Sequence, residues 1–476
     1  MNIFQKIVKQ SRFSNKKIFL DQDYTYNDLY NLTKKYLFFF KSKLKTGEII
    51  CLVLPYSIDF IAIILSARIN GNAICILNPN QTEFEKNSIL SQVSYSMIIS
   101  EKNFNQKNQK LNNFYYHQNK KKIKKKLKKD DAFIVFTSGT TTNPKGAILT
   151  NNSIKNNVNG IIDQLNLNSN DKTIIYSPPN YAMGISQVVT FLFLKCSFLF
   201  ENNSIKFVNN FLKKIKKNKI SILNLNIASF KYLKIFKKNF KIPSLRIIMC
   251  GGMKMTPIDA MQIFNFFGNK YIANFYGCTE NSPRVSHFKF SKNQLKKYSN
   301  FDFLPVGKAI KGTKITIKVS KNSKNHGEIF LSGNSLMRGY LNTTGNIKKT
   351  LIYKTNDIGF FSLDGKLFVT GRLDNIFKSG NEKISPEEIE DKISPFLKDR
   401  TFIVIKKKHP VLNWKPILIV EGKETKSDKN LLESLEKKLS NFKLPSEIYY
   451  LKFFFRNSYG KIDRKKIFNY IFNHVN

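Results

Sequence analysis

Ala132-Phe133-Ile134-Val135-Phe136-Thr137-Ser138-Gly139-Thr140-Thr141-Thr142-Asn143-Pro144-Lys145-Gly146 joins an apolar run to a loop of hydroxyls, glycines and one lysine. Five consecutive apolar residues, four of them β-branched or aromatic, read as a strand buried on both faces. The loop behind it suits a polyphosphate: glycines let successive backbone N–H groups point into one concavity, and hydroxyls add donors. It is not the Walker A loop, which needs Gly-Lys-Ser/Thr opening a helix. Here Asn143-Pro144 precedes Lys145, and Gly146 follows it. By itself a Ser/Thr-rich turn is as readily an ordinary loop, so its surroundings decide.

On its N-terminal side, helical and strand patterns alternate. Thr25-Tyr26-Asn27-Asp28-Leu29 opens a helix running to Leu44, and Ile49–Leu54 is a strand stopped by Pro55. A helical segment over about residues 57–69 leads to Gly71, and Ala73–Leu77 is the next strand. Strand–helix–strand order of this kind predicts parallel sheets layered with helices. There is no internal repeat. After about residue 300 short strands and turns take over, as in Gly327-Glu328-Ile329-Phe330-Leu331-Ser332-Gly333, and a smaller lysine-rich α+β region follows from about 375. At 476 residues the chain has room for about two to four domains.

Asp364-Gly365 is a two-residue hairpin signal between Phe360-Phe361-Ser362-Leu363 and Lys366-Leu367-Phe368-Val369. Asp357 and Arg372 lie seven positions to either side of it. In an unbulged hairpin they face each other, with Cα atoms about 4.5–5.5 Å apart. The pair reads either as a plain cross-strand ion pair or as part of a binding site.

The formal charge is +46, from 79 Lys+Arg against 33 Asp+Glu. A basic protein gains affinity for nucleic acid by displacing counterions, but here lysine is spread over the whole length beside much Asn, Ile and Phe. A coding bias toward A/T-rich codons explains that better than a binding patch, and no nucleic-acid motif is present. The densest run, Lys120–Lys129, is broken only by Ile123 and Leu127. It reads as a solvated, like-charged connector, with a short basic amphipathic helix attracted to an acidic partner as the alternative. Five scattered cysteines and five scattered histidines argue against a disulfide framework or a metal knuckle. No apolar run reaches the roughly 18–20 residues of a membrane span, and the start lacks the apolar stretch of a secretory signal. A cytoplasmic protein is the expectation.

Further motifs follow in order: Tyr24-Thr25-Tyr26 through Leu29; Asn274-Phe275-Tyr276-Gly277-Cys278-Thr279-Glu280; Lys354-Thr355-Asn356-Asp357-Ile358-Gly359; Gly371-Arg372-Leu373-Asp374 with Ile384-Ser385-Pro386-Glu387-Glu388-Ile389-Glu390; and Ser458-Tyr459-Gly460-Lys461-Ile462-Asp463-Arg464. With Thr137–Gly146 they resemble the signatures of the adenylate-forming (AMP-binding) superfamily over essentially the full length. Acyl-CoA synthetases, carrier-protein adenylation domains and luciferases belong to it. Thr142 and Asn356 stand where that family usually has glycine. A threonine costs backbone freedom wherever positive φ is required.

The resemblance implies a large N-terminal AMP-binding domain, residues 1–373, of parallel sheets layered with helices plus a β-rich subdomain. It also implies a small mobile α+β domain, residues 374–476, hinged at Asp374. Thr137, Ser138, Gly139, Thr140, Thr141 and Lys145 would hold the ATP phosphates. Tyr276 would stack on adenine, Asn274 would meet its amino edge and Gly277 would line the site. Asp357 would take both ribose hydroxyls and Arg372 the ribose or α-phosphate. Thr279 would hold the α-phosphate and Glu280 would help place Mg²⁺, a hard cation that favours carboxylate and phosphate oxygens. Lys461 would enter the site to neutralise charge building between carboxylate and α-phosphate, then withdraw for a thiol acceptor.

Ser177-Pro178-Pro179-Asn180-Tyr181-Ala182-Met183-Gly184 resembles the family's acyl-pocket motif, with Tyr181 as gate. Ile227, Gly251, Gly252, Met253 and Cys278 are lining candidates by position. Amino-acid activators usually carry an Asp near Tyr181, and none occurs from Asn180 to Phe200. An uncharged acyl chain or aromatic acid is therefore expected. The implied activity is an acyl-CoA synthetase using ATP, Mg²⁺ and coenzyme A, with fatty acid metabolism a natural setting. Thr279–His287 faintly resembles ligases of polysaccharide-linked gene clusters, which favours loading of an acyl carrier protein instead. A nucleotide-binding regulator without catalysis is the alternative from another class.

Overall fold

The computed structural model describes residues 1–102, 109–119, 127–137, 145–201, 208–319, 326–341, 347, 349–380, 382–397, 400–425, 428, 430–436, 438–456 and 462–474. Local signals set the helices of the N-terminal half. Thr25 and Asp28 form a reciprocal capping box on the helix Tyr26–Lys43. Ser57 caps Ile58–Asn70, and Gly71 ends it in the left-handed conformation at φ 85°. That second helix is apolar on all sides and ten of its residues are buried. A helix of that kind has to lie inside the body, and its residues join the core cluster that also draws on strands of both large sheets.

Among the described residues, the first large sheet runs Gly339–Tyr340, Lys145–Thr150, Asp131–Thr137, Ala73–Ile76, Ile49–Val53, Met97–Ser100, Phe114–Gln118, Gln109–Leu111. Its centre is parallel, as the sequence predicts: Ile49–Val53 lies between Ala73–Ile76 and Met97–Ser100. The strand entering the candidate phosphate loop instead returns antiparallel, with Thr137 opposite Lys145. The connection of residues 138–144 is shorter than the dozen or so residues a parallel crossover needs.

The second large sheet is parallel through Ser197–Phe200, Lys172–Ile175, Ile222–Asn224, Ile247–Gly251 and Tyr271–Gly277, then antiparallel through Arg284–Phe290 and Lys308–Ala309. The C-terminal ends Asn224, Gly251 and Gly277, with Arg284 opposite Gly277, therefore share one edge. In open α/β sheets that edge is where ligands bind.

A four-stranded antiparallel sheet follows, of Lys314–Val319, Gly327–Ser332, Ile352–Phe361 and Leu367–Arg372. Beyond it two core clusters draw only on residues from Phe377 onward, around the sheet of Phe402–His409, Asn413–Glu421 and Ile448–Leu451. All five cysteines are free. Of the lysine run, residues 120–126 lie outside the described residues, while Leu127 is buried outside any helix, its N–H donating to Gly47. Among the described residues no helix is long and apolar enough to cross a membrane.

Candidate active site

The hairpin brings Asp357 and Arg372 together. They pair in register and bond at 3.0 Å, Arg372 Nη1 donating to Asp357 Oδ1. The turn is not the expected two-residue one. Ser362 N–H donates to Lys366 O and Gly365 N–H to Ser362 O, with Gly365 at φ 75°, so Leu363-Asp364-Gly365 forms a three-residue loop. A bulge beyond Val369 also interrupts the ladder.

Asp357 is held from several directions. Tyr276 donates its phenol to Oδ2. Thr355 Oγ1 accepts the Asp357 N–H at 3.0 Å and donates to Ile329 O. Arg372 spans onward to Asp374, Nη2 to Oδ2 at 3.1 Å, and Asn356 Nδ2 lies 3.4 Å from Asp374 Oδ1. Burial works against the Arg372 charge, yet the carboxylates of Asp357 and Asp374 outweigh it and hold the guanidinium firmly protonated. Burial first, and Asp357 second, push the Tyr276 phenol well up, so it stays a donor.

A second polar group forms around Glu280, in the short 3₁₀ turn Thr279–Asn281. Tyr340 Oη donates to Glu280 Oε1 at 2.5 Å, and Met337 N–H donates to Glu280 O at 2.7 Å. Tyr340 belongs to a two-residue edge strand on Lys145–Thr150, and Leu341 N–H donates to Gly146 O. Lys145 Nζ lies 5.7 Å from the centre of the Tyr340 ring. Tyr340 thus ties the strand Lys145–Thr150, which leaves the candidate phosphate loop, to Glu280. Cys278 connects the two groups: beyond burial, both Glu280 and Asp357 push its thiol up.

Glycine is needed at 277, because a Cβ there would come within 2.5 Å of Pro283 O. That close approach folds Thr279–Asn281 under the strand end. Asn274 is buried, its Nδ2 donating to Pro305 O, while its Oδ1 has no hydrogen-bond partner among the described residues.

Of the acyl-pocket candidates, Tyr181 is buried at the start of the helix Ala182–Phe193 and Ile227 at the start of Ile227–Phe236. Gly251 lies against the Phe275 ring, where a Cβ would clash at 2.2 Å. Gly252 takes φ 82°, and Met253 is exposed. Ser138, Gly139, Thr140, Thr141, Thr142 and Lys461 lie outside the described residues. Among the described residues no group of three or more His, Cys, Asp or Glu could hold a metal. Glu280 would therefore be one oxygen among phosphate oxygens, which is how Mg²⁺ is commonly bound. The sequence reading missed Tyr340, Tyr353 and Arg284. Tyr353, in the first strand of the hairpin, has its phenol pushed up by burial, then by Glu280.

The model of the AMP-binding enzyme family matches residues 9–341. The 2-succinylbenzoate–CoA ligase of Lactococcus lactis subsp. lactis (strain IL1403) is 28% identical over 336 residues, 70% of each chain. The D-alanine–D-alanyl carrier protein ligase of Bacillus cereus (strain G9842) is 25% identical over 356 residues, 70% of this chain and 69% of that one. Among solved structures, the o-succinylbenzoate CoA synthetase of Bacillus subtilis bound to its acyl-adenylate shares the fold. Its TM-score is 0.79 at 18% identity, over 98% of both chains.

Proposed function

The chain belongs to the AMP-binding enzyme family, and from that premise we propose that it activates a carboxylic acid with ATP and passes the acyl group to a thiol. A carboxylate oxygen attacks the α-phosphorus, the bond from that phosphorus to the β-phosphate bridging oxygen breaks, and pyrophosphate leaves. A thiolate then attacks the acyl carbon, and AMP departs with the oxygen that joined them. Both steps depend on positioning and on neutralising charge rather than on a protein nucleophile.

One observation carries this reading. An ordered carboxylate, Asp357, is oriented by Tyr276 and Arg372, and it lies within electrostatic reach of the same thiol as Glu280. Asp357 is the acceptor a ribose diol requires. Arg372 keeps guanidinium donors for an α-phosphate, and Glu280 offers an oxygen to Mg²⁺ where the loop residues and Lys145 meet the phosphates. Asp374 is the hinge about which residues 374–476 turn, bringing Lys461 in for adenylation and out for thioester formation. Coenzyme A is the preferred acceptor. An acyl carrier protein is the second reading, favoured by the carrier-protein ligases among its relatives and by a basic surface suited to an acidic partner.

ATP–pyrophosphate exchange across a panel of carboxylic acids, repeated with coenzyme A and with a carrier protein as acceptors, tests it. Exchange with at least one acid, abolished in Lys461→Ala with folding intact, is the expected result. Tight ATP binding with no exchange for any acid would make the chain a nucleotide-binding regulator instead.

A further inference from the structure

Arg68 and Arg284 are the two largest fully buried side chains, 1% and 2% exposed. They are served very differently. Every guanidinium nitrogen of Arg68 has a partner: Nη1 the carbonyl of Asn72, Nη2 that of Lys129, and Nε and Nη2 the Asn151 side chain. Asp130 and Asp131 also support its charge. Among the described residues the Arg284 guanidinium has one hydrogen bond, from Nη2 to Asn224 Oδ1 at 3.1 Å, and its Cζ lies 3.4 Å from the centre of the Phe275 ring. Nε and Nη1 have no hydrogen-bond partner among the described residues, and neither does Nδ2 of Asn224, itself 6% exposed.

Three buried donors therefore meet in one place with no acceptor among the described residues to take them. Among the described residues no carboxylate pairs with Arg284, and burial alone pulls its guanidinium down to about 9. His287, beside the Phe275 ring, is kept neutral by burial and by Arg284, and among the described residues its Nε2 also has no hydrogen-bond partner. A buried cation without a counter-charge is costly, and unmade hydrogen bonds add to the cost. Such a group is retained where a ligand completes it.

Its location says which ligand. Asn224, Gly251 and Gly277 end adjacent parallel strands, Arg284 stands opposite Gly277, and the Phe275 ring touches both Gly251 and Arg284. This is the edge assigned to the acyl group, so the inference rests on the acid-activation reading. We infer that Arg284 and Asn224 form an oxyanion subsite of the acyl pocket, and that the acid activated here carries a second carboxylate or an equivalent acceptor-only oxyanion. This replaces the expectation of an uncharged acyl chain. It agrees with the exclusion of ammonium-bearing acids, which a buried guanidinium would repel.

The test is ATP–pyrophosphate exchange with chain-matched pairs: hexanoate against adipate, octanoate against suberate, and benzoate against its dicarboxylic analogues. In the wild type the best dicarboxylic acid should exceed its monocarboxylic partner in kcat/KM by about 10²-fold or more, as for sites built to bond a substrate polar group. Arg284→Leu should collapse that ratio toward one without lowering the melting temperature, since it removes an uncompensated buried charge. Arg284→Lys should retain part of it and decides the matter if the leucine variant does not fold. Equal rates for both classes in the wild type, with a ratio unmoved by Arg284→Lys, would overturn the subsite and leave acid activation standing. Exchange with neither class would overturn acid activation itself, and the subsite with it.

Discussion

Asp357 and Arg372 meet across a hairpin in which two irregularities cancel. The three-residue loop Leu363-Asp364-Gly365 closes on Ser362 and Lys366 and would, in a regular ladder, set Asp357 opposite Gly371. The bulge beyond Val369 adds one residue to the returning strand and restores Arg372 to that place. Bulges bend a strand and re-aim a side chain. Here the result is a guanidinium bonded to Asp357 on one side and Asp374 on the other.

Because Asp357 is held by Tyr276, Thr355 and Arg372, its replacement should reveal ligand binding rather than stability. Asp357→Asn keeps the shape and removes the charge. Hydrogen bonds to a charged acceptor contribute about 1.5–3 kcal/mol, so AMP affinity should fall about 10- to 100-fold. Calorimetric titration with AMP checks this; unchanged affinity would separate Asp357 from the ribose.

That pairing was legible from the sequence because two departures from the expected hairpin cancel. Counting from Asp364-Gly365 as a two-residue turn in a regular ladder places Asp357 opposite Arg372, and so does the true geometry, because one residue is added at the turn and one at the bulge. The helices Tyr26–Lys43 and Ile58–Asn70 and the strands Ile49–Val53, Ala73–Ile76 and Asp131–Thr137 were legible because their periods and caps are local, as at Thr25, Ser57 and Gly71. The helices Ile3–Ser11 and Glu83–Leu90 and the strands Met97–Ser100, Gln109–Leu111 and Phe114–Gln118 went unread. Tyr340 and Arg284 were not legible either. Tyr340 reaches Glu280 across 60 positions, and Arg284 reaches Asn224 across the same separation. Nothing in either local pattern announces a partner that only the sheets bring near.

Tyr340→Phe should therefore act as a positioning change. It removes the phenol bonded to Glu280 while keeping the ring beside Lys145. The Mg²⁺ concentration needed for half-maximal exchange should rise about tenfold, as expected for one charge-assisted bond. AMP binding without Mg²⁺ should be unchanged. A variant with normal Mg²⁺ dependence would assign Tyr340 to packing alone.

Asn356 occupies φ 60°, a region that asparagine tolerates and most other residues do not. Asn356→Ala should destabilise by about 1–2 kcal/mol, whereas Asn356→Gly, free of the Cβ penalty, should stay close to the wild type. Thermal unfolding orders the three proteins. Equal melting of the alanine and glycine variants would show that the bond to Asp374, at 3.4 Å, matters more than the backbone.

Asp391 provides a pH handle on the contact between residues beyond 374 and the body. It bonds Lys254 at 2.6 Å, and Lys392 reaches Asp302 at 3.2 Å nearby. Burial pushes the Asp391 carboxyl up to about 6, with Lys254 opposing. On the proposed turning about Asp374, a carboxyl raised in the docked arrangement binds a proton more tightly there than one released into water, where an unperturbed aspartate titrates near 3.9. Docking is thus favoured at low pH: the added stability is fully present below about pH 4 and is lost as pH rises through about 6. With fluorescent labels on either side of Asp374, the docked fraction at pH 5 should exceed that at pH 7.5. Asp391→Asn, which cannot ionise, should flatten that dependence. A profile identical in the variant and the wild type would mean that another group sets it.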